Sequence, residues 1–324
     1  MTPLEALPRR GFVAAPTPVE EARGLDLDWL GIKRDDRIEA LAGGSKVRKL
    51  DVLLASSPWR DAPRWAGAGA IGSGQLVALS MAARATGRPL DAHVFWTPPD
   101  PWVLDNLAAT ASNAATVRYY PDRVALAVKA PAAVGLPIGS VPFVAPGASD
   151  PFGNAGMALA GLELAEQIAA RQLPTPRRIY VPLGSGGTAV GLSYGLGRAG
   201  IRCEIHAVAV VEWVLSLRAR LDAMVRALAA RHGSVSPAPI VIRRTQLGRG
   251  YGFATDAGRD AVARLAGHGL RAEGNYGGKA FAQLVADAHA GWRGATLFWH
   301  TARGPLPPPA PDWADRLPAA LRRR

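Results

Sequence analysis

Between Arg178 and Arg231 the chain runs strand, helix, strand, helix, and this alternation constrains its fold more than any other feature. Arg178–Leu183 and Cys203–Val210 are short apolar runs of strand length, followed by the helical segments Thr188–Arg198 and Val214–Arg231. The same order holds earlier. Trp29–Lys33, Trp65–Ile71, Ala92–Trp96 and Thr116–Tyr120 read as strands, separated by helices that start at Lys46 and run over Gln75–Thr86 and Pro101–Asn113. Val141–Ala145 reads as extended and Asn154–Arg171 as a long amphipathic helix. Strands that alternate with helices form parallel sheets joined by helical crossovers, so the predicted class is α/β. The 324 residues suffice for two domains, each with its own core.

Composition excludes several other classes. With 48% hydrophobic and 20% charged residues the chain is globular. A net charge of +12 invites a nucleic-acid partner, but the arginines are scattered and no basic-aromatic stripe forms. Nucleic acid is therefore not expected, whereas anionic ligands are favoured. Cys203 is the single cysteine, which excludes an internal disulfide and argues for a reducing compartment. Its apolar strand predicts a buried structural thiol. Trp65–Ala83 is uncharged for nineteen residues, but its glycines divide it into strand, turn and helix, so no membrane span is expected. The N-terminus carries no apolar segment of secretory type, and the expected location is cytoplasmic. The six histidines show no HExxH-like spacing, so no metal site is expected.

The stretch LAGGSKVRKLDVLL, Leu41–Leu54, is the chemically unusual one. Gly43 and Gly44 break the preceding segment, Ser45 is a good N-cap, and Val47, Leu50 and Leu54 give the helix an apolar face. Lys46, Arg48 and Lys49 then gather in the first turn, where the macrodipole disfavours cations by roughly 0.3–1 kcal/mol each. Taken alone, these residues suit a solvated basic helix end better than a bound anion.

The wider wording, IKRDDRIEALAGGSKVRKLD, resembles the 1-aminocyclopropane-1-carboxylate deaminase and D-cysteine desulfhydrase family, whose members carry GGNK-x-RKLE. The resemblance implies pyridoxal 5′-phosphate (PLP) on Lys46 and Lys49 near its phosphate. Ser45 stands for the usual Asn and Asp51 for Glu. RRIYVPLGSGGTAVG, residues 177–191, is a strand, a glycine-rich turn and a helix start, which suits a phosphate. It is similar to the family's phosphate loop, here Gly184, Ser185, Gly186, Gly187 and Thr188. Gly72-Ser73-Gly74-Gln75 resembles the family's Q-S-N-Q/H loop for the substrate carboxylate. Ser73 and Gln75 match, while Gly74 replaces an Asn that lies beside the cofactor ring.

GRGYGFAT, from Gly248, resembles GxGYGxPT and assigns Tyr251 as an active-site tyrosine. EGNYGGKAFAQL, from Glu273, resembles DPVYxGKAxxGL and assigns Tyr276 as a second. The deaminases have a glutamate after this tyrosine that pairs with the pyridine nitrogen, where this chain has Gly277. ATLFWHTARGP, from Ala295, resembles VLFxHTGG, with Thr301 as a neutral partner for that nitrogen and Ala302-Arg303 in place of a glycine pair. His300, at the end of an apolar strand, reads as a satisfied core histidine.

The motifs span roughly residues 16–305 in the family's order. They imply the tryptophan-synthase-β-like fold: two open twisted-sheet α/β domains with the cofactor in the cleft between them. The larger is expected at 1–47 plus 159–324 and the smaller, inserted one at 48–158. The implied activity is a PLP-dependent lyase or deaminase of a small amino acid that releases ammonia and a 2-oxo acid, in a homodimer. Lys46, Tyr251, Tyr276 and Ser73 are its expected catalytic residues. The departures at Gly74 and Gly277 leave β-replacement, racemisation or a non-catalytic PLP-binding role open.

Overall fold

A computed structural model of the chain describes residues 2–134, 141–211 and 218–323. In chain order the strands are β1 (Val19–Glu21), β2 (Leu30–Arg34), β3 (Trp65–Ala70), β4 (Leu90–Phe95), β5 (Thr116–Tyr120), β6 (Phe143–Val144), β7 (Arg178–Leu183), β8 (Glu204–Ala209), β9 (Ile240–Arg243) and β10 (Thr296–His300). The α-helices are α1 (Ser45–Leu53), α2 (Gly74–Ala85), α3 (Pro101–Asn113), α4 (Arg123–Lys129), α5 (Pro151–Ala169), α6 (Gly187–Arg198), α7 (Arg218–His232), α8 (Asp256–Gly267), α9 (Gly277–His289) and α10 (Ala319–Arg322).

Two sheets result, in the orders β1-β2-β10-β7-β8-β9 and β5-β4-β3-β6. Every pairing is parallel except β1 with β2. The alternation read in the sequence is therefore the fold. The expected helix Val214–Arg231 is seen from Arg218, and its first turn lies outside the described residues. No described helix is long and apolar enough to cross a membrane.

Side chains alternate across the larger sheet with period two. Ile179, Val181, Leu297 and Trp299 join the core beneath α5 and α6, whereas Tyr180, Phe298 and Val208 join the one beneath α8 and α9. Both faces are covered, as a parallel sheet requires. Glycines set the helix spacing. A Cβ on Gly156 would strike the Arg48 carbonyl, and one on Gly191 or Gly195 would strike α5, so α1, α5 and α6 approach closely only because these positions are bare. We propose the domain division at 1–47 plus 159–324 and 48–158, one part around each sheet. The tail crosses that division, because Leu317 and Leu321 pack into the core around the smaller sheet.

The start of α1 is held from both sides. Leu41, Ala42, Gly43 and Gly44 have φ of 54, 62, 75 and 89°. Left-handed backbone costs the two non-glycines about 1–2 kcal/mol each, and a Cβ on Gly44 would lie 2.9 Å from the Ala302 carbonyl. Ser45 is not the N-cap. It is the first residue of the helix, with Gly44 as the cap, and its hydroxyl donates to Asp35 Oδ2 at 2.5 Å. Asp35 also accepts from Arg48 Nε at 2.8 Å and Trp299 Nε1 at 2.7 Å. Glu163 takes the rest of the Arg48 guanidinium at 2.7 and 2.9 Å, and Lys33 at 2.5 Å.

The solvated reading of this helix end thus fails, since Arg48 and Lys49 are both buried. Replacing Asp35 with Asn would leave Arg48 short of a counter-charge and turn an amide N–H towards other donors. The variant is expected to lose about 3–5 kcal/mol of stability, read from denaturant unfolding. A loss below about 1 kcal/mol, the range of an exposed ion pair, would contradict this role.

Candidate active site

The loops after β2, β7 and β10 in one sheet and after β3 and β4 in the other meet at the carboxyl ends of their strands, where open α/β sheets bind ligands. Lys46 rises from the start of α1 into this cleft. The chain has five lysines, of which Lys129 is exposed. Lys33 is held by Thr17 O, Glu163 and Gln167, Lys279 by the carbonyls of Leu247 and Gly250, and Lys49 by Gly147 O at 3.0 Å and Ser149 Oγ at 3.2 Å. Lys46 alone among the interior four makes no hydrogen bond to a described residue. Burial pushes its ammonium down from 10.5 to about 8, a shift opposed by the Glu273 carboxylate. Burial also holds Lys49 well below its ordinary value, with Lys46 adding repulsion and Asp150 opposing.

Beside Lys49 the turn after β7 forms a cradle. A Cβ on Gly187 would collide with Asn154 Oδ1 and Ser149 Oγ and would lie 2.7 Å from Lys49 Nζ. Three polar groups thus converge on the bare N-terminus of α6. Ser185 Oγ lies 2.6 Å from Ser149 Oγ, Thr188 is the second residue of the helix, and Asn154 Oδ1 is buried without a partner among the described residues. Gly186 supplies the turn itself, with φ of 94°.

Both tyrosines reach the cleft. Tyr276 lies against Gly184, its hydroxyl 3.4 Å from where a Cβ would sit there. The Tyr251 and Tyr276 rings meet edge to face at 5.9 Å, and their hydroxyls are hydrogen-bonded. Burial raises both, Tyr276 well above its ordinary value, with Tyr251 and Glu273 pushing it further. The Lys279 bonds fix the loop that carries Tyr251. Thr301 adjoins the same centre, because its carbonyl accepts the Ser45 amide at 3.3 Å. Its hydroxyl makes no hydrogen bond to a described residue. His300 is fully buried, but neither ring nitrogen has a hydrogen-bond partner among the described residues, so it is a core histidine without being a satisfied one.

The Gly72–Gln75 loop matches expectation less well. Ser73 caps α2, its Oγ accepting the Leu76 amide at 3.3 Å. Gly74 begins the helix with open space where a Cβ would project. Gln75 is 2% exposed and turns away from the cleft. Its Oε1 accepts the amides of Gly147 and Ala148, and its Nε2 donates to Val144 O at 3.4 Å. Gln75 therefore braces the loop that holds Lys49, and its side chain is not available for a carboxylate. The amides of Gly74 and Gln75 have no partner among the described residues and are available.

Sequence reasoning passed over Ser149, Asn154 and Glu273. The first two had a weak signal, since Asp150-Pro151 is a helix start whose Asp caps α5. Glu273 accepts the amides of Asn275, Tyr276 and Gly277 at 2.7–3.0 Å and so caps α9.

Residues 12–301 match the family described as pyridoxal-phosphate dependent enzymes. The chain belongs to this family. Nocardicin C-9' epimerase of Nocardia uniformis subsp. tsuyamanensis is 33% identical, over 94% of this chain and 97% of its own. D-cysteine desulfhydrase of Salmonella typhimurium is 31% identical, over 93% and 96%. The crystal structure of an ACC deaminase homologue matches with a TM-score of 0.76 at 26% identity, covering 92% of this chain and 93% of that one. The fold is that of the tryptophan-synthase-β-like (fold type II) PLP enzymes, and PLP is the cofactor.

The residues present fit PLP. The Gly187 cradle offers amides, hydroxyls and Lys49 to a phosphate, and Lys46, which makes no hydrogen bond to a described residue, is the lysine left for a carbonyl. Only neutral amine attacks a carbonyl, so PLP capture by the apoprotein is expected to rise with pH through about 8 rather than near 10.5. Since Glu273 favours the charged form, Glu273→Gln is expected to move that rise to lower pH. Stopped-flow absorbance across pH checks both, and a rise centred near 10.5 would contradict the burial of Lys46.

Proposed function

We propose that this chain is a PLP-dependent lyase that deaminates a small amino acid, in the manner of a D-cysteine desulfhydrase, releasing ammonia and a 2-oxo acid. The observation that carries this reading is that Lys46, within electrostatic reach of both Lys49 and Glu273, makes no hydrogen bond to a described residue. Bound PLP supplies an electron sink next to the substrate α-carbon. Ser73 and the amides of Gly74 and Gln75 hold the substrate carboxylate at the start of α2. The Lys46 amine, lowered by burial to about 8, takes the α-proton in its neutral form, whose share grows as pH rises through that value. The coupled hydroxyls of Tyr251 and Tyr276 hold a second proton for the leaving group.

Position 277 is glycine, and the Glu273 carboxylate is committed to the amides of Asn275, Tyr276 and Gly277. Thr301 offers a neutral hydroxyl instead, which cannot enforce protonation of the nitrogen. Loss of a good leaving group from the β-carbon is therefore favoured over opening of a cyclopropane ring. D-cysteine or another β-substituted amino acid is expected to turn over faster than 1-aminocyclopropane-1-carboxylate, measured as ammonia, sulfide and 2-oxo acid. Efficient ring opening by the wild type would refute the argument from Gly277.

A second reading, epimerisation, is favoured by the open space at Gly74 and by the relative named nocardicin C-9' epimerase. Inversion with solvent deuterium uptake and no ammonia would select it. The homodimer and the cytoplasmic location belong to the same proposal, and light scattering and fractionation test them.

A further inference from the structure

The fold gives the Arg303 side chain a defined task. It is 5% exposed, lies two residues beyond Thr301, and packs over the Trp102 ring at 4.0 Å. Its nearest carboxylate is Asp105, at 3.7 Å. Burial nevertheless lowers the guanidinium from 12.5 to about 10, against the pull of Asp105, so this cation is costly to keep. Its Nε donates to Asn106 Oδ1 at 2.6 Å, and Asn106 Nδ2 donates to the Gly72 carbonyl at 2.8 Å. Asn106 is fully buried on α3. The chain of bonds thus runs from the segment after β10, beside the cofactor site, to the carbonyl immediately before Ser73.

We propose that Arg303 and Asn106 are positioning residues that fix the Gly72–Gln75 loop and thereby the binding of the substrate carboxylate, an inference that rests on the function proposed above. Arg303 orients the Asn106 amide so that its N–H faces Gly72, because a guanidinium accepts no hydrogen bond and must meet the oxygen. The relay ties the loop that holds the substrate to the strand end that faces the cofactor.

The test uses the holoenzyme of wild type, Asn106→Asp, Asn106→Leu, Arg303→Lys and Arg303→Leu. Binding is read from the cofactor absorbance on titration with D- and L-alanine, which lack a leaving group, and turnover is read with D-cysteine. Asn106→Asp keeps the acceptor for Arg303 but has no N–H for Gly72, so the loop is released without unpairing the guanidinium. Both Asn106 variants are expected to raise the half-saturating alanine concentration and the KM about tenfold or more. Cofactor content and kcat should stay near wild type in both, the signature of lost substrate binding, and the unfolding midpoint should hold in Asn106→Asp but fall in Asn106→Leu, which leaves the buried Arg303 unpaired. Arg303→Leu is expected to match them, Arg303→Lys to recover part of the loss, and the double Leu variant to be no worse than the poorer single one.

Impairment of Asn106→Asp alone would indicate charge repulsion and overturn the relay, as would additive losses in the double variant. A wild type that responds to alanine alongside variants that respond at the same concentration sinks the relay and leaves the proposed function standing. A wild type that responds to no amino acid removes both.

Discussion

Replacing Lys46 with alanine is expected to leave a folded chain that holds PLP only non-covalently and turns over amino acids on the order of 10²–10⁴-fold more slowly. The fold should not suffer. Lys46 is a desolvated cation that makes no hydrogen bond to a described residue, so at pH 7, below its value of about 8, its charge opposes folding. The apoprotein midpoint should therefore hold or rise. Removal of Lys33, which is bonded on three sides, should lower it. Denaturing gel filtration measures retained cofactor, and initial rates measure turnover. Full activity in Lys46→Ala would remove this residue from the chemistry.

Filling the cradle is expected to have the next largest effect. Gly187→Val puts carbon where Lys49, Ser149 and Asn154 converge, so a phosphate loses its seat and two or more charge-assisted hydrogen bonds, at roughly 1.5–3 kcal/mol each. The expected result is a PLP affinity lower by on the order of 10²-fold or more, measured by titrating apoprotein. Gly186 is a poorer choice for this test. Its φ of 94° strains any side chain, and a Cβ there would meet Leu221 rather than the cradle. Unchanged PLP affinity in a folded Gly187→Val chain would move the phosphate elsewhere.

The alternation of strands and helices was legible because each element carries its own period, and ordered motifs brought Lys46, the 184–188 turn, both tyrosines and Thr301 to one cleft. What stayed hidden depends on partners far along the chain. Ser45 looked like a cap because its local setting is that of a cap, but Asp35, fixed at the end of β2, claims its hydroxyl. Arg48 looked solvated because Glu163 lies 115 residues away. Gln75 had the right position and the wrong direction, since a motif fixes a backbone place and not the loop that a side chain meets. Glu273 was in view only as the first letter of a motif, and its caps on α9 depend on a turn that no periodicity marks.

Borohydride reduction of the holoenzyme, followed by peptide mapping, tests the central assignment most directly. The pyridoxyl group is expected on the peptide containing Lys46, at one per chain. Finding it on Lys49, whose ammonium faces Gly147 and Ser149, or on Lys33 or Lys279 would contradict the assignment.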